Sequence, residues 1–308
     1  MKKIPAILIL LAFAHPLLSQ PIEPDTSYAI IDLSVACLRS APDFESTLET
    51  QELMGEVVEV LDRQSYWVKV HCDQPYDAWC TERSLCEVDA EGAQAWIQAE
   101  KQIVTAPFSR IYSSPDKTSD PVSDLCKGDL VASLKAKCPK GWQKVSTPGG
   151  RTGWTPSSDL QDHDSWLASR KATGASLVAE AKQWVGVPYL WGGMSPKGFD
   201  CSGLVSFVYL MNGIHLPRNA SQIAKCGENV TVFEDDAFTA DNLQPGDLLF
   251  FGRKAQDGKP AKVTHVGMYI GEGRMIHASQ LVRNESVFAS DADAYPLMCN
   301  LLSAVRIL

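Results

Sequence analysis

Gly198-Phe199-Asp200-Cys201-Ser202-Gly203 is followed by Leu204, Val205, Val208 and Met211, apolar residues at i, i+1, i+4 and i+7. That spacing predicts a helix beginning at Cys201, with Asp200 as its cap and Asn212-Gly213 as its stop. A cysteine on the first turn feels the positive end of the helix dipole, which favours the thiolate, the form that attacks carbonyls. The same cysteine could equally be half of a disulfide or a small core residue, so the reading turns on a base. Upstream, Leu177, Val178, Ala181 and Trp184-Val185 recur at helical spacing until Gly186 and Pro188 stop them. Tyr189-Leu190-Trp191-Gly192-Gly193 then forms a turn-rich link to the cysteine.

The chain has six histidines. His15 lies in the amino-terminal apolar run, His71 and His163 in or just after a strand-rich region, and His215 after the Cys201 helix. The other two are His265, in Val263-Thr264-His265-Val266-Gly267-Met268-Tyr269-Ile270, and His277, in Met275-Ile276-His277-Ala278-Ser279. Both segments read as strands joined by Gly271-Glu272-Gly273. A three-residue loop sets Ile270 opposite Arg274 and His277 opposite Gly267, placing both imidazoles on one sheet face. A two-residue loop would place them on opposite faces. On one face, the first imidazole can take a thiol proton while the second holds its ring.

The amino-terminal half repeats itself. Leu38-Arg39-Ser40-Ala41-Pro42 recurs as Ile111-Tyr112-Ser113-Ser114-Pro115, each followed 17 residues after its first member by Gly55 or Gly128. Trp67-Val68-Lys69-Val70 matches Trp142-Gln143-Lys144-Val145, and Trp79 and Trp154 each precede a leucine by six positions. Alternation of apolar and polar residues with Pro, Gly and Asp turns describes a small β-barrel, present twice. A helical connector is expected near Ala90 to Glu100 and a polar one from Gln161 to Ala175.

In 308 residues, 28 Lys+Arg face 37 Asp+Glu for a formal charge of −9, with no basic run to neutralise phosphates, so no nucleic-acid partner is expected. Lys2-Lys3 ahead of an apolar run from Ile4 to Ala14 reads as a secretory signal, with cleavage near Ser19 or Gln20. A periplasmic or secreted protein without a membrane anchor is expected, and a monomer. Nine cysteines fall in groups of four, two and three, suggesting pairing within domains, with Cys72 and Cys80 flanking a hairpin turn where they could face each other. No C-x-x-C pair occurs, so no metal is expected.

Residues 174–308 resemble the NlpC-type cysteine peptidases, papain-like enzymes that hydrolyse peptidoglycan peptides. The matching stretches are Pro188-Tyr189-Leu190-Trp191-Gly192-Gly193, Phe199 to Val205, Leu216-Pro217-Arg218, Gln244 to Leu248 and His265-Val266-Gly267. The resemblance implies an α+β fold: a papain-like catalytic domain preceded by two small SH3-like β-barrels. The expected organisation is a signal peptide over 1–20, bacterial SH3-type domains over 27–88 and 103–160, and the peptidase over 174–308. By resemblance Cys201 is the nucleophile, His265 the base, His277 the orienting residue, and Tyr189 a helper at the oxyanion. No cofactor is implied.

The two-barrel architecture is similar to the γ-D-glutamyl-L-diamino acid endopeptidases, also called dipeptidyl-peptidase VI. These cut L-Ala-γ-D-Glu from the L-Lys or meso-diaminopimelate that follows. In that branch the first barrel closes the site, so that only stem peptides with a free N-terminal L-Ala fit. Its contributions map onto Glu49 and Tyr76, with Ser202, Asn219 and Trp191 completing the substrate-binding set. The family segment Arg-Asp-Ser or Arg-Asp-Ala appears here as Arg218-Asn219-Ala220, so Asn219 replaces an aspartate and leaves Glu49 to pair with the ammonium alone. Two alternatives remain: a hydrolase of intact peptidoglycan with the barrels as wall anchors, and an inactive muropeptide-binding protein.

Overall fold

The computed structural model describes residues 22–24, 26–72, 76–256 and 258–308; the segment read as an export signal lies outside the described residues. The first sheet holds β1 (Tyr28–Ile31), β2 (Val35–Arg39), β3 (Leu48–Leu53), β4 (Val57–Gln64), β5 (Trp67–Cys72), β6 (Tyr76–Thr81) and β7 (Leu85–Val88), in the order β3-β2-β6-β5-β4-β1-β7. Helix α1 (Ala90–Gln98), capped by Asp89 accepting from the Gly92 amide at 2.8 Å, leads to the second sheet. That sheet holds β8 (Lys101–Val104), β9 (Phe108–Tyr112), β10 (Pro121–Cys126), β11 (Leu130–Ser133), β12 (Trp142–Ser146), β13 (Thr152–Pro156) and β14 (Leu160–Asp162). Its order, β10-β9-β13-β12-β11-β8-β14, is the first order with seven added to every label. The repeat in the sequence is therefore a repeat in topology, each sheet folding around its own apolar cluster.

Gly55 and Gly128, the glycines shared by the two repeats, occupy the same turn with φ of +95° and +97°. The turns also join the sheets: the Leu130 amide donates to the Met54 carbonyl at 2.8 Å, and buried Met54 packs into the second core. A Cβ on Gly55 would come within 2.6 Å of the Leu130 Cβ, so both backbone conformation and space exclude a side chain there.

The expected polar connector over 161–175 is more structured than that. It holds β14 and α2 (His163–Ala168), because His163 and Trp166 are buried. The register also corrects the cysteine reading: Cys72 lies opposite Tyr76 and Cys80 opposite Val68, so the two do not face each other, and no disulfide joins cysteines among the described residues.

The remainder begins with α3 (Gly174–Lys182), after which Trp184 sits in a turn closed by Gly186 at φ +95°. A short hairpin of β15 (Met194–Ser195) and β16 (Gly198–Phe199) then delivers the chain into α4 (Cys201–Leu210). Asp200 Oδ1 accepts from the Gly203 amide at 2.7 Å, the cap the sequence predicts. Every residue of α4 from Cys201 to Tyr209 is buried. Trp184, Phe199 and Phe207 meet there with ring centroids 5.3–5.7 Å apart, each contributing about 2–3 kcal/mol by burial.

Helix α5 (Ala220–Ile223) follows, then β17 (Glu228–Val230), a minor hairpin of β18 (Phe233–Glu234) and β19 (Ala237–Phe238), β20 (Leu248–Arg253), β21 (Lys262–Gly271), β22 (Arg274–Ser279), β23 (Leu281–Ser286) and β24 (Leu301–Arg306). The main antiparallel sheet runs β17-β24-β20-β21-β22-β23, and α4 packs on β21 and β22. The nucleophile candidate and the two histidines are thus carried by elements that share one core. No helix among the described residues is long and apolar enough to cross a membrane.

Candidate active site

The loop between β21 and β22 differs from its sequence reading, and the difference explains how the histidines meet. Gly271 pairs with Arg274, leaving Glu272-Gly273 as a two-residue turn with φ of +54° and +67°, the primed geometry that matches strand twist. Alone, this turn would set the histidines on opposite faces. A bulge between Tyr269 and Gly271 inserts one residue and restores the register, with Met268 opposite Ile276. His277 consequently stands beside Gly267, where an added Cβ would lie 3.2 Å from the His277 Cβ. The two imidazoles share a face: His265 Nε2 is 2.9 Å from His277 Nδ1.

His277 Nε2 in turn lies 2.8 Å from Glu285 Oε2 on β23, and Arg283 reaches the other carboxylate oxygen at 3.3 Å. This chain fixes the protons. An ionised carboxylate only accepts, so His277 carries its hydrogen on Nε2 and its neutral Nδ1 accepts from His265 Nε2–H. His265 is left with a bare Nδ1, the lone pair a thiol proton needs. Buried Tyr295 braces both rings, with centroids 4.6 Å from His277 and 5.7 Å from His265. Sequence patterning marks neither Glu285 nor Tyr295. The one signal present is a carboxylate two residues from Arg283 on the strand after His277.

The sulfur of Cys201 accepts from the backbone amides of Ser202 and Val266, the residue after His265. These amides and Arg218 favour the thiolate, but burial first, and Asp200 second, outweigh them and push the thiol up to about 11. His265 is pulled down to about 3, by burial first and by His277 next. The resting site therefore holds a neutral thiol and a neutral imidazole. The helix dipole alone suggests a standing thiolate; desolvation in a closed site is the larger effect. Iodoacetamide alkylation of Cys201 should then climb about tenfold per pH unit from pH 7 to 10, following the thiolate fraction. A flat rate from pH 5 to 8 would mean a preformed ion pair.

Tyr189 is half-buried beside the thiol, and its hydroxyl is pushed up to about 12 by burial and then by Cys201, so it stays a donor. Together with the amide at the start of α4 it can stabilise an oxyanion. Trp191 is 64% exposed.

The first sheet lies directly on this site. Gln51 Oε1 accepts from the Met194 amide at 3.0 Å and from the Ser195 hydroxyl at 2.9 Å. Thr50 Oγ1 accepts from Arg218 Nε at 3.1 Å. A Cβ on Gly192, whose φ is +77°, would fall 2.5 Å from the Leu48 carbonyl oxygen, so only glycine lets strand β3 approach this closely. Arg218, 2% exposed, pairs with Asp200 at 2.5 Å and donates to Ser202 Oγ at 3.0 Å. Ser202 also donates to Asp200 Oδ1 at 3.1 Å, so its hydroxyl is engaged within this network.

Tyr76, from the first sheet, and Asn219, the cap of α5, are brought together: the Asn219 amide donates to the Tyr76 hydroxyl. Glu49 is half-buried on β3 between Leu48 and Thr50, with no ion pair among the described residues.

The chain is similar to known proteins in both sequence and fold. The NlpC/P60 family profile matches residues 186–295, and a bacterial dipeptidyl-peptidase SH3 domain profile matches residues 38–85. The chain is 31% identical over 242 residues to a γ-D-glutamyl-L-lysine dipeptidyl-peptidase of Bacillus subtilis, covering 76% of this chain and 73% of the relative. It is 29% identical over 276 residues to a dipeptidyl-peptidase 6 of Lysinibacillus sphaericus, covering 87% and 93%. The crystal structure of an NlpC/P60 family protein from Bacillus cereus superposes with a TM-score of 0.73 at 26% identity, covering 91% of this chain and 99% of that one. The chain thus belongs to the NlpC/P60 family and is a cysteine peptidase.

Proposed function

We propose that the protein hydrolyses the γ-D-Glu–L-diamino acid bond of peptidoglycan stem peptides that carry a free N-terminal L-Ala. The observation that carries this reading is the first sheet seated on the site, with Tyr76 tied to Asn219 and the Glu49 carboxylate available on the same strand as Thr50 and Gln51. Under this reading the roof admits a short amino-terminal dipeptide and turns away a continuing glycan. Glu49 supplies the negative charge that an α-ammonium requires when it leaves water. Asp200 cannot serve, because Arg218 already neutralises it.

In the proposed reaction, Cys201 attacks the γ-carbonyl of D-Glu as its proton passes to His265 Nδ1. The oxyanion is held by the Cys201 amide and the Tyr189 hydroxyl. His265 then protonates the departing amine of the diamino acid, leaving a thioester between Cys201 and L-Ala-γ-D-Glu. Water, deprotonated by the same imidazole, hydrolyses the thioester. The relay through His277 to Glu285 keeps Nδ1 available in both halves. Lys2, Lys3 and the apolar run over 4–14 support export, and with it a role in wall turnover or recycling.

N-acetylation of the L-Ala nitrogen tests this reading. The acetyl group removes the ammonium and adds bulk under the roof, so kcat/KM should fall by about 10³-fold, the effect of stranding a buried charge. Equal rates on free and acetylated peptides would favour the rival, a hydrolase of intact peptidoglycan.

A further inference from the structure

A cavity of about 350 Å³ opens on the flank of His265, lined by Phe251, Arg253, Thr264, His265, Tyr295 and Asn300. Tyr76, Asn219 and Glu49 do not line it, and no carboxylate does. Under the proposed reaction, on which this inference rests, His265 hands a proton to the leaving amine. The diamino acid must therefore stand on the His265 flank, where this cavity lies.

The mouth of the cavity is positively charged. Arg253 pairs across the ladder with Lys262, so both exposed cations project from the same face of β20 and β21. Neither has an ion pair among the described residues, and like charges directly opposite each other disfavour the strand pair. In a chain of net charge −9, two cations set against each other at the edge of a cavity beside the catalytic base call for an anion. The two candidate leaving groups differ in this respect. L-lysine ends its side chain in an ammonium, whereas meso-diaminopimelate carries an additional carboxylate there.

We infer that Arg253, supported by Lys262, selects a diamino acid with a carboxylate at its side-chain end, and that this protein prefers meso-diaminopimelate to L-lysine after γ-D-Glu. The preference separates it from the B. subtilis relative, whose name specifies L-lysine.

The test compares kcat/KM for L-Ala-γ-D-Glu-meso-diaminopimelate and L-Ala-γ-D-Glu-L-Lys in the wild type and in Arg253→Glu. The wild type should favour the diaminopimelate peptide by about tenfold, the size of one partly screened attraction added and one repulsion avoided. Arg253→Glu should lower cleavage of the diaminopimelate peptide and raise cleavage of the lysine peptide, an opposed pair of changes that general damage to the fold cannot produce. Equal rates on both peptides in the wild type would overturn the inference while leaving the proposed function intact. A parallel fall on both peptides in Arg253→Glu would also overturn it, because Arg253 would then be reading the α-carboxylate that both share. Cleavage of neither peptide would instead remove the proposed function, and this inference with it.

Discussion

Replacing Cys201 with alanine lowers kcat on a free L-Ala-γ-D-Glu-diamino acid peptide by a factor on the order of 10⁴ or more, with the melting temperature nearly unchanged. The size follows from what the sulfur does: without it no thioester forms, and only binding and the oxyanion donors remain. The fold survives because the side chain is small and its loss leaves α4 anchored by Trp184, Phe199 and Phe207. His265→Ala should be nearly as severe, because a thiol pushed up to about 11 cannot attack unaided at neutral pH. The two losses should not add, since thiol and imidazole act as one unit. Residual turnover in Cys201→Ala above about one part in a hundred would assign the chemistry elsewhere.

The largest structural effect belongs to Arg218. Its guanidinium is enclosed by Asp200, Ser202 and Thr50, so it joins the cap of the catalytic helix to the first sheet. Arg218→Ala leaves the Asp200 carboxylate buried without a counter-charge, a defect that costs about 3–5 kcal/mol. In a chain of this size that corresponds to a loss of roughly 10 °C in melting temperature. Cleavage should fail as well, because strand β3 loses one of its fastenings over the site. The double variant Asp200→Asn/Arg218→Met should recover part of the stability, since asparagine still caps a helix and no charge is stranded. A single Arg218→Ala variant melting within about 2 °C of the wild type, checked by calorimetry, would show that the pair is not structurally important.

Much of this architecture was legible in the sequence. The paired glycines and tryptophans of the repeats anticipated two sheets of one topology, because turns that need φ near +95° and strands that need alternating burial leave local marks. Asp200 ahead of Cys201 marked the helix start for the same reason. What stayed hidden is non-local. The Ile270 bulge leaves no local signature, yet it decides which face His277 occupies. Glu285 alternates with Arg283 as a solvated strand would, and only the fold turns it toward a histidine. Gln51 looks like an ordinary polar strand residue until Met194 and Ser195, more than 140 positions away, take its oxygen. The protonation state of the thiol depends on burial by several elements at once, and the helix position alone pointed the other way.

The covalent intermediate tests the central claim most directly. Mixing enzyme with L-Ala-γ-D-Glu-meso-diaminopimelate, quenching in acid within the first turnover and digesting the protein should yield a Cys201 peptide heavier by one L-Ala-γ-D-Glu acyl group. The adduct should disappear when the L-Ala nitrogen is acetylated. An adduct on any other residue, or a Cys201 adduct carrying only L-Ala, would contradict the account.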